Sequence, residues 1–135
     1  MSLTRVLVVD DNETFLEMSS FVLRAAAYEV ELASDAAQAL VKVPIFKPAV
    51  ILMDIQMPEM DGLELTRRLK ADLATQHIVI VAFTAYASQG DEMQLRAAGF
   101  DGYIGKPVDV MTLAAEVRFW LEGPVSARAS RFVWP

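Results

Sequence analysis

Cysteine is absent from the 135-residue chain. Its absence excludes disulfides, thiolate metal sites and thiol redox chemistry together, and makes a cytoplasmic protein the simplest expectation. Positive charge is scarce: 12 Lys and Arg face 18 Asp and Glu, for a net charge of −6. With no basic run to override that balance, no direct contact with nucleic acid or an anionic membrane surface is expected. No apolar stretch approaches the roughly 18 residues that suggest a membrane span, so no membrane insertion is expected. The opening MSLTRVLVVDDN sets acids directly after a short apolar run, which does not read as a signal peptide. Histidine occurs once; His77 heads an apolar run, at the start of a strand, and reads as a surface or edge residue, not as a phosphorylated histidine.

Apolar residues are plentiful, at 54% of the chain, which excludes disorder and implies a well-packed interior. The length suits one domain with a real core. Seven Met in a chain without Cys read as core filler rather than metal ligands.

The most informative stretch is VILMDIQMPEMDG, Val50 to Gly62. Its unbroken apolar run predicts a strand buried on both faces, ending abruptly in Asp54. A lone charge there is costly to desolvate and needs a metal, a cation or a chemical role. Upstream, Val6–Val9 predicts a buried strand that stops at Asp10-Asp11-Asn12, where the acids can also cap a helix. Phe15, Met18, Ser19, Val22, Leu23 and Ala26 then form the inward stripe of a helix ending near Ala25–Ala27. Val30 and Leu32 alternate with Glu29 and Glu31 in a second strand. Ser34-Asp35 caps a second helix through about Lys42, with Ala36, Ala39, Leu40 and Val43 inward, stopped by Pro44. Beyond Gly62, Leu65, Leu69 and Leu73 share one helical face. Ile78–Phe83 is another buried strand, with Thr84 at its end. A helix over 89–98 stops at Gly99. Tyr103-Ile104 lies in a last strand that runs into Lys106-Pro107. A final helix carries Val110, Leu113, Val117, Trp120 and Leu121 inward until Gly123-Pro124. Trp120 reads as core or rim. Ser126–Pro135 reads as a tail: a frayed end or a cut linker, or else, given its two aromatics, a docking arm.

The order βαβαβαβαβα predicts an α/β fold with a parallel sheet and helices on both faces. Function in such sheets collects at the carboxyl ends of the strands. Those ends carry Asp10 and Asp11, Asp54, Thr84 and Lys106. Three carboxylates there repel one another unless a hard cation intervenes, and Mg²⁺ with its oxygen ligands suits them. A carboxylate can attack phosphorus, and phosphoryl transfer rests on positioning and charge neutralisation, for which a metal and Lys106 are suited.

The set Asp10-Asp11, Asp54-x-x-Met57-Pro58, Thr84-Ala85 and Lys106-Pro107 closely resembles the receiver domain of two-component response regulators, over about Thr4 to Leu121. The resemblance implies a flavodoxin-like (βα)5 fold with strand order 2-1-3-4-5, a receiver domain over 1–122, and a tail or truncated linker over 123–135. It implies Asp54 as phosphoacceptor. Asp11 would be a direct Mg²⁺ ligand, Asp10 a ligand through water, and the Gln56 backbone carbonyl a further one. Thr84 and Lys106 would hold phosphoryl oxygens, helped by the backbone N–H groups of Gln56 and Ala85. Thr84 and Tyr103 would form the switch, and the Lys106–Pro107 bond would be cis. The implied partners are a histidine kinase or histidine phosphotransfer protein, and a downstream protein target on the face of helix 4, strand 5 and helix 5; homodimer formation stays open. The stretch from Thr84 to Gly99 looks most like stand-alone receivers and those of hybrid sensor kinases. Gln56 and Tyr86, flanking the phosphoryl group, are expected to tune its lifetime by obstructing water. Such a domain catalyses only its own phosphorylation and dephosphorylation, so it is a switch rather than a turnover enzyme. No effector domain follows, which directs output to protein contacts; the chain equally reads as the receiver part of something longer.

Ala27 departs from the glycine that often ends the first helix; if left-handed, it carries about 1 kcal/mol of strain. Two rivals are weighed. A flavodoxin-like electron carrier would need a phosphate-cradling loop after strand one, where DDNET would instead repel FMN, and a purified protein without yellow colour would discriminate it. A receiver-like scaffold that is never phosphorylated would leave the full set of acids, Thr84 and Lys106 unexplained.

Overall fold

The computed structural model describes residues 3–57, 59–84 and 89–131, with 89–92 described through their backbone alone. Five parallel strands form one sheet in the order β2-β1-β3-β4-β5. They are β1 (Arg5–Val9), β2 (Glu29–Ala33), β3 (Val50–Asp54), β4 (Val79–Thr84) and β5 (Gly102–Gly105). The helices are α1 (Glu13–Ala25), α2 (Ala36–Phe46), α3 (Gly62–Ala71), α4 (Gln89–Ala98), α5 (Leu113–Glu122), preceded by a single 3-10 turn at Val110–Thr112, and α6 (Val125–Arg131). The expected fold, with its strand order, is the observed one.

The three apolar runs occupy the centre of the sheet, as burial on both faces requires. Val6–Val9, Val50–Met53 and Ile80–Phe83 are fully buried. Helix stripes close over them: Leu16 and Leu23 from α1, Ala39 and Val43 from α2, Leu65 and Leu69 from α3, Leu113, Val117 and Trp120 from α5. Each of α1, α2 and α3 begins at a side-chain cap, Asn12 accepting from the Phe15 N–H, Asp35 from Gln38 and Asp61 from Glu64. Trp120 belongs to the core, and His77 is exposed, as expected.

Several local expectations are corrected. Pro44 does not stop α2, which runs on to Phe46 before Lys47 turns left-handed at φ 52°. Proline removes a backbone donor and costs about 3 kcal/mol in mid-helix, but here only the last turn follows it. Buried Val43 and half-buried Phe46 offset that loss, at roughly 1.5–3 kcal/mol for a fully buried side chain. Leu73 lies outside the core, 82% exposed, because α3 ends at Ala71 before its stripe returns. Met18 is likewise exposed; Leu16, on the other side of Phe15, takes the buried position. β4 begins at Val79 and extends through Thr84, while Ile78 is buried ahead of it. The last helix begins at Leu113, with Val110 in the 3-10 turn. The tail is helical through Arg131; Phe132 to Pro135 lie outside the described residues.

Ala27 adopts φ 70°, the left-handed conformation its position required. Its N–H donates to the Arg24 carbonyl and the Tyr28 N–H to Leu23, closing α1 despite the side-chain penalty.

Candidate functional site

Strand register brings the acids together. Val9 is aligned with Met53, so the residues that follow, Asp10 and Asp54, leave the sheet side by side. Asp10 still donates its N–H to the Ala33 carbonyl at 3.1 Å. Its Oδ1 accepts the Asn12 N–H at 2.9 Å, folding the chain into the turn that opens α1. Asp11 stands exposed beside it. Carboxylate oxygens of Asp10, Asp11 and Asp54 all lie within 4.8 Å of one another.

Asp54 is buried, 3% exposed, and its Oδ1 carries two hydrogen bonds. The Lys106 ammonium donates at 2.9 Å and the Gln56 N–H at 3.2 Å. Lys106 reaches this position because its own N–H bonds the Thr84 carbonyl at 2.7 Å, which continues the β4–β5 ladder one step past Gly105. The Lys106–Pro107 bond is cis, as expected. Thr84 closes β4 and is buried; Tyr103 is half-buried in β5. A cleft of about 280 Å³ opens over the acids, lined also by Asn12, Phe15, Lys106, Pro107 and Val108. Phe15 packs edge-on against Phe83 at 5.0 Å, giving one wall of the cleft a rigid apolar support.

The electrostatics follow from burial. Asp10 has its pKa pushed up to about 6, chiefly by desolvation; the Asn12 N–H and Lys106 pull it down, while Asp54 and Asp11 push it up. Two buried acids and one exposed acid share a small volume with one ammonium. Three oxygen donors at this spacing fit a hard divalent cation with room for water, so Asp10, Asp11 and Asp54 are the side chains that could hold Mg²⁺.

Asp10, Asp11, Asp54, Thr84, Lys106 and Gln56 therefore lie on one edge of the sheet. The Gln56 side is an exposed loop position whose N–H is engaged by Asp54. Ala85, Tyr86 and Pro58 lie outside the described residues. Sequence reasoning missed Gly62. A Cβ there would come within 2.4 Å of the Asp54 carbonyl oxygen and 2.9 Å of the Ile55 Cα. Only the pairing of Asp61 as helix cap with Gly as the next residue hinted at a close approach. The sequence also carried no sign that Phe15 lines the cleft, because its helical stripe position reads as core.

Known proteins resemble this chain in sequence and fold. The family described as response regulator receiver domain matches residues 6–118. The polar-differentiation response regulator DivK of Brucella anthropi is 37% identical over 116 residues, 86% of this chain and 94% of that protein. Among solved structures, the Vibrio cholerae chemotaxis protein CheY4 superposes with a TM-score of 0.84 at 31% identity, over 89% of this chain and all of the other. The receiver domain of the Pseudomonas aeruginosa sensor histidine kinase PA1611, which has a magnesium ion coordinated in its active-site cleft, gives a TM-score of 0.78 at 31% identity, over 89% and 98% of the two chains.

Proposed function

This chain belongs to the response regulator receiver domain family, and from that membership we propose that Asp54 accepts a phosphoryl group from a histidine kinase or histidine phosphotransfer protein. The observation that carries the reading is the three-acid cluster with the Lys106 ammonium already 2.9 Å from the Asp54 carboxylate. An Asp54 carboxylate oxygen attacks phosphorus, the P–N bond of the phosphohistidine breaks, and its electron pair leaves with the imidazole, which takes up a proton. Asp11, Asp54 and the Gln56 carbonyl, with Asp10 through water, would hold Mg²⁺, which would supply charge neutralisation for the phosphoryl oxygens. Lys106 moves its donation from the Asp54 carboxylate to a phosphoryl oxygen, where it offsets the added negative charge. Thr84 donates its hydroxyl to another, and the Gln56 and Ala85 N–H groups complete the set. Later attack of water on phosphorus releases phosphate and restores the carboxylate; Gln56 and Tyr86 are assigned to tuning that step, which their side chains would slow by obstructing water.

The switch is local charge read as a two-state change of packing. Thr84, drawn to the phosphoryl group, vacates space that Tyr103 fills, and the face of α4, β5 and α5 is reshaped for a protein partner. The receiver unit spans 1–122. Lacking a helix long and apolar enough to cross a membrane among the described residues, and free of cysteine, it suits the cytoplasm.

The test is transfer of label from a phosphorylated histidine phosphotransfer protein. Label on the wild-type chain, dependent on Mg²⁺ and absent from Asp54→Asn, is expected. Failure of a panel of kinases and phosphotransfer proteins to label the wild type would point to the scaffold reading.

A further inference from the structure

The chain does not stop at α5. Gly123 and Pro124 turn it, and α6 comes back against α5. The Arg128 guanidinium donates to the Trp120 carbonyl at 3.3 Å, near the exposed carbonyl end of α5, where positive charge is favoured. Arg131 Nη2 donates to both Glu116 oxygens at 3.0 Å. Its guanidinium lies over the Phe119 ring at 4.3 Å from the centroid and over Trp120 at 5.4 Å. Seven residues of helix are too short to persist alone in water, so these contacts are what hold α6 in place.

The surface under Arg131 is connected to Tyr103. Trp120 packs T-shaped on Phe119 at 5.0 Å and lies 6.1 Å from Tyr103, centroid to centroid. The Trp120 indole also rests on the β5 backbone: a Cβ on Gly102 would come within 2.3 Å of its Cδ2. The indole thus sits against the β5 backbone and lies between the Tyr103 ring and the Phe119 ring over which Arg131 is placed. On its other side, α6 shares a groove with α4, lined by Arg96, Phe100, Asp101, Val125, Arg128 and Ala129. The helix thus lies over a face built from β5 and α5 and borders α4.

We propose that α6 is an intramolecular occupant of the β5–α5 face, seated while Asp54 is unphosphorylated and displaced when Asp54 is phosphorylated. The inference rests on the reading of Asp54 as phosphoacceptor and Tyr103 as switch residue. A partner for this face must then compete with α6, and an arginine that lies over Phe119 while pairing with Glu116 is the chemistry it has to replace. Reciprocity follows: if phosphorylation weakens the seat of α6, loosening α6 must favour the phosphorylated form by the same factor.

The cysteine-free chain allows two spin labels to be placed without background, on the 135-residue Ala115→Cys, Ser130→Cys double variant. Pulsed dipolar spectroscopy measures their separation, and the fluorine resonances of beryllofluoride, added with Mg²⁺, report occupancy of the Asp54 site in the same sample. A single narrow separation without beryllofluoride, broadening or lengthening as the bound fluorine signal appears, is expected. Arg131→Ala should show the broad distribution without beryllofluoride and bind it several-fold more tightly; Arg131→Lys, which keeps charge but not the planar group over Phe119, should fall between. An unchanged separation with beryllofluoride visibly bound, or unchanged affinity in Arg131→Ala, overturns the inference and leaves the phosphoacceptor reading intact. No bound fluorine signal under any condition overturns both.

Discussion

Lys106 Nζ lies 2.9 Å from Asp54 Oδ1, although 52 positions separate the two residues. The ammonium is a third exposed and the carboxylate nearly buried, 33% against 4% by side chain. A pair placed this way is a weak source of stability, since desolvation opposes its attraction. It is well placed for chemistry, because the cation already stands where negative charge would be added.

Replacing the ammonium should therefore affect phosphorylation more than folding. Lys106→Ala should slow phosphoryl uptake from a small-molecule donor by about 100-fold, the scale on which removal of one electrostatic stabiliser is felt. Lys106→Arg should recover little, because a planar guanidinium does not replace a compact ammonium. Initial rates of Asp54 phosphorylation at fixed Mg²⁺ check both.

Asp10 gives the protein a pH signature. Its folded pKa, pushed up to about 6, lies above the ordinary 3.8, so between these values the native state holds more protons than the unfolded one. The stability this group contributes is full below pH 3.8 and is lost as pH rises through about 6. Without metal, Asp10→Asn should remove that loss and be more stable than wild type at neutral pH, with the difference vanishing in acid. Denaturant titrations of the two chains across this range measure it.

Mg²⁺ should reverse that order. Proton and cation compete for the same carboxylates, so the rise in Tm that Mg²⁺ brings at neutral pH should shrink below about pH 6. Asp10→Asn and Asp11→Asn should lose most of the rise at any pH. Thermal melts with and without Mg²⁺ distinguish these outcomes.

Gly62 and Ala27 separate the needs of the site from those of the fold. Gly62→Ala places a methyl 2.4 Å from the Asp54 carbonyl oxygen, against backbone that has to move. A loss of about 1–3 kcal/mol together with weaker Mg²⁺ binding is expected. Ala27→Gly, at φ 70° and remote from the acids, should gain about 1 kcal/mol, or about 3–5 °C in Tm, and leave Mg²⁺ binding unchanged.

The apolar runs of β1, β3 and β4 made the sheet legible, and the acids, Thr84 and Lys106 at the strand ends made the site legible. Both signals survive because strand ends of a parallel sheet meet at one edge whatever the intervening sequence. What stayed hidden depends on distances that no local pattern encodes. Pro44 reads as a stop, yet Val43 and Phe46 hold the last turn of α2. Leu73 fits a helical stripe, yet α3 ends first. Gly62 reads as a helix start, whereas its tight contact is with Asp54. The turn at Gly123-Pro124 ends α5, but Arg128 and Arg131 stabilise another helical stretch through contacts with residues of α5 that the sequence alone does not pair with them.

The most direct measurement is the intact mass of the chain after incubation with acetyl phosphate and Mg²⁺, followed by peptide mapping of the modified residue. The wild type should gain one phosphoryl group, on Asp54, and lose it on standing; chelation of Mg²⁺ or Asp54→Asn should prevent the gain. A wild-type chain that gains no mass, or an Asp54→Asn chain that gains it equally, would contradict the assignment of Asp54 as phosphoacceptor.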